Sequence, residues 1–291
     1  MTKLAYYPGC TLKTKAANLE VAALAALERV GVGYHELTRW NCCGAVFNLA
    51  DDDLIHHMAP VRDLIRVQQA GAERVFTLCS QCYNTLARAN RVMLEDETKR
   101  DTINAFMDEE PDYFGEVDVV HYLQLLRDQV GWDRLREAVV QPLEGLKVAP
   151  FYGCTLVRPT EVRVEDQLLE DFLRALGAEP VAFKASTECC GSYQMVAHPE
   201  EGLKRAATVL GSAGRAGAEA MVLSCPLCEY NLGARQEAAR EADATLAPVP
   251  TFYFTQLLGI ALGLDPAVCR LDLNHESARA LVGDRFVAVG A

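Results

Sequence analysis

Tyr7-Pro8-Gly9-Cys10-Thr11-Leu12 stands near the start of the chain, and Phe151-Tyr152-Gly153-Cys154-Thr155-Leu156 answers it 144 residues later. The doubling continues outward from these stretches. Asn41-Cys42-Cys43-Gly44 matches Glu188-Cys189-Cys190-Gly191 at an offset of 147, and the C-x-x-C of Cys79 and Cys82 matches that of Cys225 and Cys228 at 146. Ala70-Gly71-Ala72-Glu73 precedes Cys79 as Ala216-Gly217-Ala218-Glu219 precedes Cys225. His121-Tyr122-Leu123-Gln124-Leu125-Leu126 has a looser echo in Tyr253-Phe254-Thr255-Gln256-Leu257-Leu258. So steady an offset means a duplicated module. Pro142 and Gly145 punctuate the chain between the copies, which gives modules at 1–143 and 144–291.

Each module alternates short apolar runs with helical patterns. In the first, residues 4–7, 32–37 and 74–78 read as strands, and 16–30, 54–70 and 83–94 as helices, with Pro60 restarting the second helix. The second module repeats the order, with strands at 147–152, 181–183 and 220–224 and helices at 168–176 and 200–213. Strands alternating with helices predict an α/β fold of two pseudo-symmetric modules, each a small, mainly parallel sheet with flanking helices. Cys10, Cys79, Cys154 and Cys225 then follow strands directly, and each Cys-Cys pair sits in the loop after a second strand. Ligands of open α/β sheets gather beyond the carboxyl ends of the strands, so each set of five is expected to converge there. Gly9, Gly44, Gly153 and Gly191 beside the cysteines let backbone approach closely.

Half of the 291 residues are apolar, enough for one large core or two ordinary ones. The 28 basic and 40 acidic residues leave a formal charge of −12, which repels a phosphate backbone. No Lys/Arg cluster interleaved with aromatics offsets it, so nucleic acid is set aside as a partner. Apolar runs fall far short of the roughly 20 residues a membrane helix needs, and no signal-peptide h-region follows Met1. A cytoplasmic protein, not integral to a membrane, is expected.

Eleven cysteines are the informative part of the composition. A disulfide framework belongs to short secreted chains, and buried structural cysteines would scatter without order. Zinc is the serious alternative. A zinc site closes with four ligands, typically from two C-x-x-C knuckles, whereas each module here offers one knuckle, one adjacent pair and one lone cysteine. Adjacent cysteines in a tight loop point their thiolates apart, which suits several metal atoms better than one. Iron–sulfur clusters present such a spread of metals to thiolates. Cys10, Cys42, Cys43, Cys79 and Cys82, with Cys154, Cys189, Cys190, Cys225 and Cys228, are therefore the candidate metal- and cofactor-binding residues. An ordinary cubane needs four cysteines, so a fifth means an unusual cluster or a thiol free for chemistry. The ferredoxin run C-x-x-C-x-x-C-x-x-x-C-P is absent, which assigns any conventional cubane relay to a partner.

A lone cysteine, then Cys-Cys-Gly, then C-x-x-C, written twice, resembles the CCG-domain family, and within it the heterodisulfide reductase B subunits and their B-like relatives. Intervening residues number 31 and 35 in the first set, within the family pattern, and 34 and 34 in the second, where the last gap is at the short limit. The resemblance implies that each set holds a noncubane [4Fe-4S] cluster, two in all, with fused three-iron and two-iron units. It implies a disulfide bound between the clusters and split by electrons arriving one at a time. It also implies heterodisulfide reductase-like partners: a C subunit with cubane iron–sulfur clusters and a flavin-containing A subunit that bifurcates electrons. In methanogens the substrate would be the coenzyme M–coenzyme B heterodisulfide; in other hosts the acceptor differs. Cleaving a disulfide by two electrons makes two thiolates, which metals stabilise by coordination.

Smaller features carry two readings each. Lys13 and Arg158, just after Cys10 and Cys154, are the candidate catalytic residues, as cations for an anionic substrate, or else are solvated helix-end charges. His57 and His198 would supply protons, or else are exposed or cap-bonded. Cys269 has no counterpart in the repeat and reads as a buried small residue. Tyr6, Tyr7 and Tyr152 read as packing around the clusters, and Asp51-Asp52-Asp53 as a helix start. Besides disulfide reduction, or the reverse oxidation of thiols, two functions remain open: an electron relay without substrate chemistry of its own, and a zinc-bound scaffold.

Overall fold

A computed structural model describes residues 3–45 and 54–286; Asp51-Asp52-Asp53 lies outside the described residues. The first module supplies β1 (Leu4–Tyr6), β2 (His35–Glu36), β3 (Arg74–Thr77) and β4 (Asp118–His121). The second supplies β5 (Lys147–Pro150), β6 (Glu179–Pro180), β7 (Ala220–Leu223) and β8 (Thr251–Tyr253). They form two four-stranded sheets of order β2-β1-β3-β4 and β6-β5-β7-β8, and every described pairing is parallel. The α/β expectation holds, and the sheets are wholly parallel where mainly parallel was expected. From β1 the chain crosses to β2 on one side and then returns to β3 on the other. The connections therefore diverge between β1 and β3, and likewise between β5 and β7. That divergence opens the crevice in which α/β sheets bind ligands.

Of the central strands, β1 (Leu4-Ala5-Tyr6) and β7 (Ala220-Met221-Val222-Leu223) are buried along their whole length, and β3 and β5 in all but their first residue, as sheets covered on both faces require. Edge strands are where the sequence reading slips. Residues 32–37 contribute only His35–Glu36. The strand expected at 181–183 lies at Glu179–Pro180, because the left-handed turn at Gly177, φ +84°, returns the chain to β5 in the register Lys147–Glu179. The apolar run marked what is tucked beneath the sheet edge, and the turn set what pairs with it. β4 and β8 were not expected, yet the echo at His121 and Tyr253 is where both end. Gln124 Oε1 accepts from His121 N at 2.9 Å and Gln256 Oε1 from Tyr253 N at 3.0 Å, so the echo is a shared strand-to-helix cap.

Helix Ala17–Val30 buries Leu19, Ala23, Leu27 and Val30 and stops at Gly31, whose φ of +75° closes the last turn. Helix Met58–Gln69 follows a 3-10 turn at Leu54–His57, with Pro60 in its first turn. Helix Ser80–Glu95 begins three residues earlier than expected, which makes Cys79 its N-cap and puts Cys82 in its first turn. Among the described residues no helix is long and apolar enough to cross a membrane.

The modules exchange contacts reciprocally. Helix Phe254–Ala261 of the second lies against Ala17–Val30 of the first, with Thr255 Oγ1 donating to Leu19 O at 2.9 Å. Aromatic rings continue the core across the seam: Tyr6 on Phe76, Phe76 on Tyr122, Tyr122 on Phe254, and Phe254 on Phe172. One hydrophobic core thus spans both modules. His121 sits wholly inside it, its Nε2 donating to Leu78 O at 3.1 Å while its Nδ1 accepts from Leu123 N, so the ring is neutral.

Phe254→Ala is expected to lower stability by about 3–5 kcal/mol in denaturant titration, with unfolding still in one transition. Separate transitions for the two modules would contradict a shared core. Burial holds the His121 pKa down at about 4, below the ordinary 6.5. Its contribution is therefore complete above pH 6.5 and lost as pH falls toward 4, by roughly 3 kcal/mol over the window. His121→Gln, which keeps a donor for Leu78 O, is expected to flatten that slope.

Candidate metal centre

The strands deliver the cysteines as the sequence suggested. Cys10 leaves the loop after β1, Cys42 and Cys43 the loop after β2, and Cys79 and Cys82 the junction of β3 with helix Ser80–Glu95. Cys10 Sγ stands 3.6 Å from Cys42 Sγ, and Cys43 Sγ 3.6 Å from Cys82 Sγ, so the adjacent pair divides between two partners. The remaining neighbours act on one another's ionisation, Cys42 with Cys43 and Cys82 with Cys79. In the second module Cys154 joins Cys189, Cys189 joins Cys190, and Cys228 joins both Cys190 and Cys225. Cys79 joins Cys225 across the seam. All ten thiols form one run, Cys10–Cys42–Cys43–Cys82–Cys79–Cys225–Cys228–Cys190–Cys189–Cys154. Under the repeat it reads the same from either end. Its centre is buried at Cys79 and Cys225, and one end, Cys10 and Cys42, is exposed.

The run is electrostatically frustrated. Hydrogen bonds from neighbouring thiols hold Cys43 and Cys225 well below the usual thiol range and Cys189 down at about 2. The same bonds push their partners Cys42, Cys82, Cys154 and Cys228 up, and Cys190 to about 12, with burial adding to each. Five thiolates in one module therefore need cationic metal among them. Among the described residues no three His, Cys, Asp or Glu side chains gather about a single-ion position. A donor set of ten neighbouring thiols fits the iron–sulfur group that the sequence implies. Glycine makes room beside the sulfurs of the first module: a Cβ on Gly9, φ +72°, would come within 3.0 Å of Cys82 Sγ.

Backbone and side chains fix the knuckles from both modules. Asn84 Nδ2 donates to Thr155 O at 2.8 Å and to Arg158 O at 2.6 Å, and Ser80 N donates to Ser224 O at 3.1 Å. Tyr193, three residues past Cys190, donates to Gln81 Oε1 at 2.5 Å. Its phenol is raised by burial and by Cys225, Cys154, Cys189 and Cys79, thiols of both modules. Tyr193 was not singled out in the sequence. The run of residues after a Cys-Cys-Gly was the only signal, and it says nothing about what lies opposite.

The two candidate cations differ. Lys13 Nζ pairs with Glu20 at 2.7 Å and with Glu36 at 2.8 Å, and against the lowering effect of partial burial these bonds hold its pKa above the ordinary value. Its charge is fully balanced. Arg158 is exposed and donates to the Thr187 carbonyl at 3.4 Å. His57 is buried, which lowers its pKa to about 4, whereas His198 is exposed at the head of helix Pro199–Arg215. His57 lines a cavity of about 750 Å³ with Arg88, Lys99, Pro159 and Glu161, and no cysteine lines it. Cys269 is buried beneath Gly259, away from the run.

Comparison with known proteins agrees with this architecture. The cysteine-rich domain family, CCG, matches residues 4–87 and 148–233, one match for each half of the thiol run. The membrane anchor subunit of 8-methylmenaquinol:fumarate reductase from Wolinella succinogenes is 32% identical over 279 residues, covering 94% of this chain and 96% of that one. The B subunit of the ferredoxin/F(420)H(2)-dependent CoB-CoM heterodisulfide reductase from Methanosarcina acetivorans is 28% identical over 94% of each chain. A protein from Archaeoglobus profundus described as like the heterodisulfide reductase B subunit is 25% identical over 91% of this chain and 92% of its own. In fold, the chain superposes on the crystal structure of a hypothetical protein from Helicobacter pylori with a TM-score of 0.74 at 13% identity, covering 94% of this chain. It spans about half, 51%, of that longer chain. With the doubled cysteine pattern, the two parallel sheets and the family matching both halves, this chain belongs to the CCG cysteine-rich domain family, alongside the B subunits of the heterodisulfide reductases.

Proposed function

We propose that the chain is the catalytic iron–sulfur subunit of a heterodisulfide reductase-like complex in the cytoplasm. In this reading each thiol set binds one noncubane [4Fe-4S] cluster, and a disulfide is cleaved, or thiols are oxidised, between the two. The observation that carries it is the run of ten thiols meeting at Cys79 and Cys225, with neither set degraded. When bound, the clusters would supply single electrons and a seat for each thiolate. The chain's own residues do the rest. Asn84, Ser80 and Tyr193 lock the two knuckles at a fixed separation, so a substrate meets both sets in one geometry. The exposed thiols Cys10 and Cys42 mark the side from which a substrate arrives. Of the two cations, Arg158 is the one whose charge stays available to an anionic substrate, since Glu20 and Glu36 already engage Lys13. Electrons would come from a heterodisulfide reductase-like C subunit with cubane iron–sulfur clusters and a flavin-containing A subunit, because the chain lacks a ferredoxin-type run of its own.

A specific observation favours a second reading, an electron relay without substrate chemistry. The relative from W. succinogenes, at 32% identity, is named as a subunit of a fumarate reductase.

Iron, acid-labile sulfide and zinc per chain, on protein purified without oxygen, test both. About eight irons with matching sulfide are expected, falling to about four in Cys82→Ala or Cys228→Ala. An added disulfide should then change the electron paramagnetic resonance of the reduced protein. Clusters that ignore every disulfide offered while still reducing an artificial acceptor would favour the relay. Stoichiometric zinc without iron after reconstitution would sink both readings.

A further inference from the structure

The modules share five cysteines but differ in what stands behind the cysteine pair. Asp63, 1% exposed on helix Met58–Gln69, accepts from Asn41 N at 2.8 Å and from Asn41 Nδ2 at 3.3 Å. Asn41 Nδ2 also donates to Ala59 O at 3.1 Å, and Tyr7 Oη donates to Asn41 O at 2.7 Å. Tyr7 stands three residues before Cys10, and Asn41 immediately before Cys42. One triad, Asp63 and Tyr7 buried and Asn41 half-buried, therefore ties the loop after β1 to the loop after β2, and with them Cys10 to Cys42 and Cys43.

The repeat shows what the second module has instead. Offsets of 144, 147 and 146 bring Tyr7 onto Phe151, Asn41 onto Glu188 and Asp63 onto Val209. All three polar partners are missing together. Phe151 has no hydroxyl, Glu188 N donates to Ala185 O at 3.1 Å, and Val209 is fully buried. There the pair is held from the knuckle side, by Asn231 Nδ2 donating to Cys190 O and Ser192 Oγ donating to Leu227 O. Hydrogen bonds and burial around bound thiolates are among the levers that set a cluster's potential, and these differ systematically between the sites.

We infer that Asp63 is a positioning residue for the first thiol set alone, fixing Cys42 and Cys43 against Cys10 through Asn41 and Tyr7. The two metal centres are thereby made unequal in potential. The inference rests on the two-cluster reading above. Burial pushes the Asp63 carboxyl up to about 8, against the Asn41 N–H that favours its charge. An Asn at 63 keeps an oxygen for Asn41 N and loses only the longer bond. A Val, the second module's own residue, removes both bonds and leaves Asn41 N without its acceptor, while Asn41 Nδ2 keeps Ala59 O.

The test compares the wild type, Asp63→Asn, Asp63→Val and Tyr7→Phe as anaerobically purified full chains. Iron content and a redox titration followed by electron paramagnetic resonance are read for each. Asp63→Val is expected to lose or shift one of the two cluster signals, with iron falling from about eight toward about four per chain and the other signal unmoved. Asp63→Asn is expected to restore both signals. Tyr7→Phe, the milder change, should shift the midpoint of that same signal, and it decides the matter if Asp63→Val does not fold. Unchanged midpoints in Asp63→Val, or in Tyr7→Phe where that variant decides, overturn the inference, as does simultaneous change of both signals. An Asp63→Asn chain as defective as Asp63→Val overturns positioning as its basis. A wild-type chain without two centres overturns the two-cluster reading itself, whereas two intact centres indifferent to position 63 overturn only the inference.

Discussion

Thiols packed side by side cannot all ionise, and the fold is arranged around that constraint. Cys43, Cys189 and Cys225 hold low pKa values because their neighbours stay protonated and donate to them. Only positive metal among the sulfurs lets the whole set release its protons. Every element near the run serves to bring thiols together despite this cost. The divergence of the chain between β1 and β3, and between β5 and β7, opens the crevice. The neighbouring Cys225 and burial push the Cys79 thiol well above the usual range, and the Cys82 amide in the first turn of helix Ser80–Glu95 offsets only part of that. Gly9 and Gly153 take up a left-handed conformation beside the sulfurs, and at Gly9 a Cβ would crowd Cys82 Sγ.

What the sequence disclosed was what its repeat made redundant. Two copies of the same landmarks at nearly the same offset fixed the module, the order of β1, β3, β5 and β7, and the gathering of the cysteines. Elements written only once, or weakly, were harder to see. β2 and β6 pair through two residues each, and no apolar pattern that short can be told from a loop. β4 and β8 were present in the text as an echo at His121 and Tyr253 whose meaning, a Gln reaching back to cap a helix, belongs to geometry. Lys13 illustrates a different limit. Its place beside Cys10 was legible, but the carboxylates that claim it come from the helix Ala17–Val30 and from β2, and only packing reveals them. Tyr193 and Gln81 meet across modules, 112 residues apart in sequence, and no local pattern announces such a pair.

The seam between modules explains why the duplication stays in one chain. Helix Phe254–Ala261 packs on Ala17–Val30, and Arg127 at the end of the first module pairs with Glu165 of the second at 2.7 Å. Each half covers apolar surface that the other exposes, so neither has a complete core. The thiol run has the same property: its buried centre, Cys79 with Cys225, exists only where the halves meet.

A pair of identical chains could form the same seam, but both sides would then have to carry the same residues. Fusion removes that restriction, and this chain has used the freedom next to the sulfurs. Between Cys79 and Cys82 stand Ser80 and Gln81, both buried, with Gln81 held by Tyr193; between Cys225 and Cys228 stand Pro226 and Leu227, and Leu227 is 36% exposed. One knuckle is therefore sealed by polar contacts from the other module, while its twin presents an apolar side chain outward. Symmetry in the thiols with asymmetry in their surroundings is what a site needs if two otherwise equal centres are to do different work.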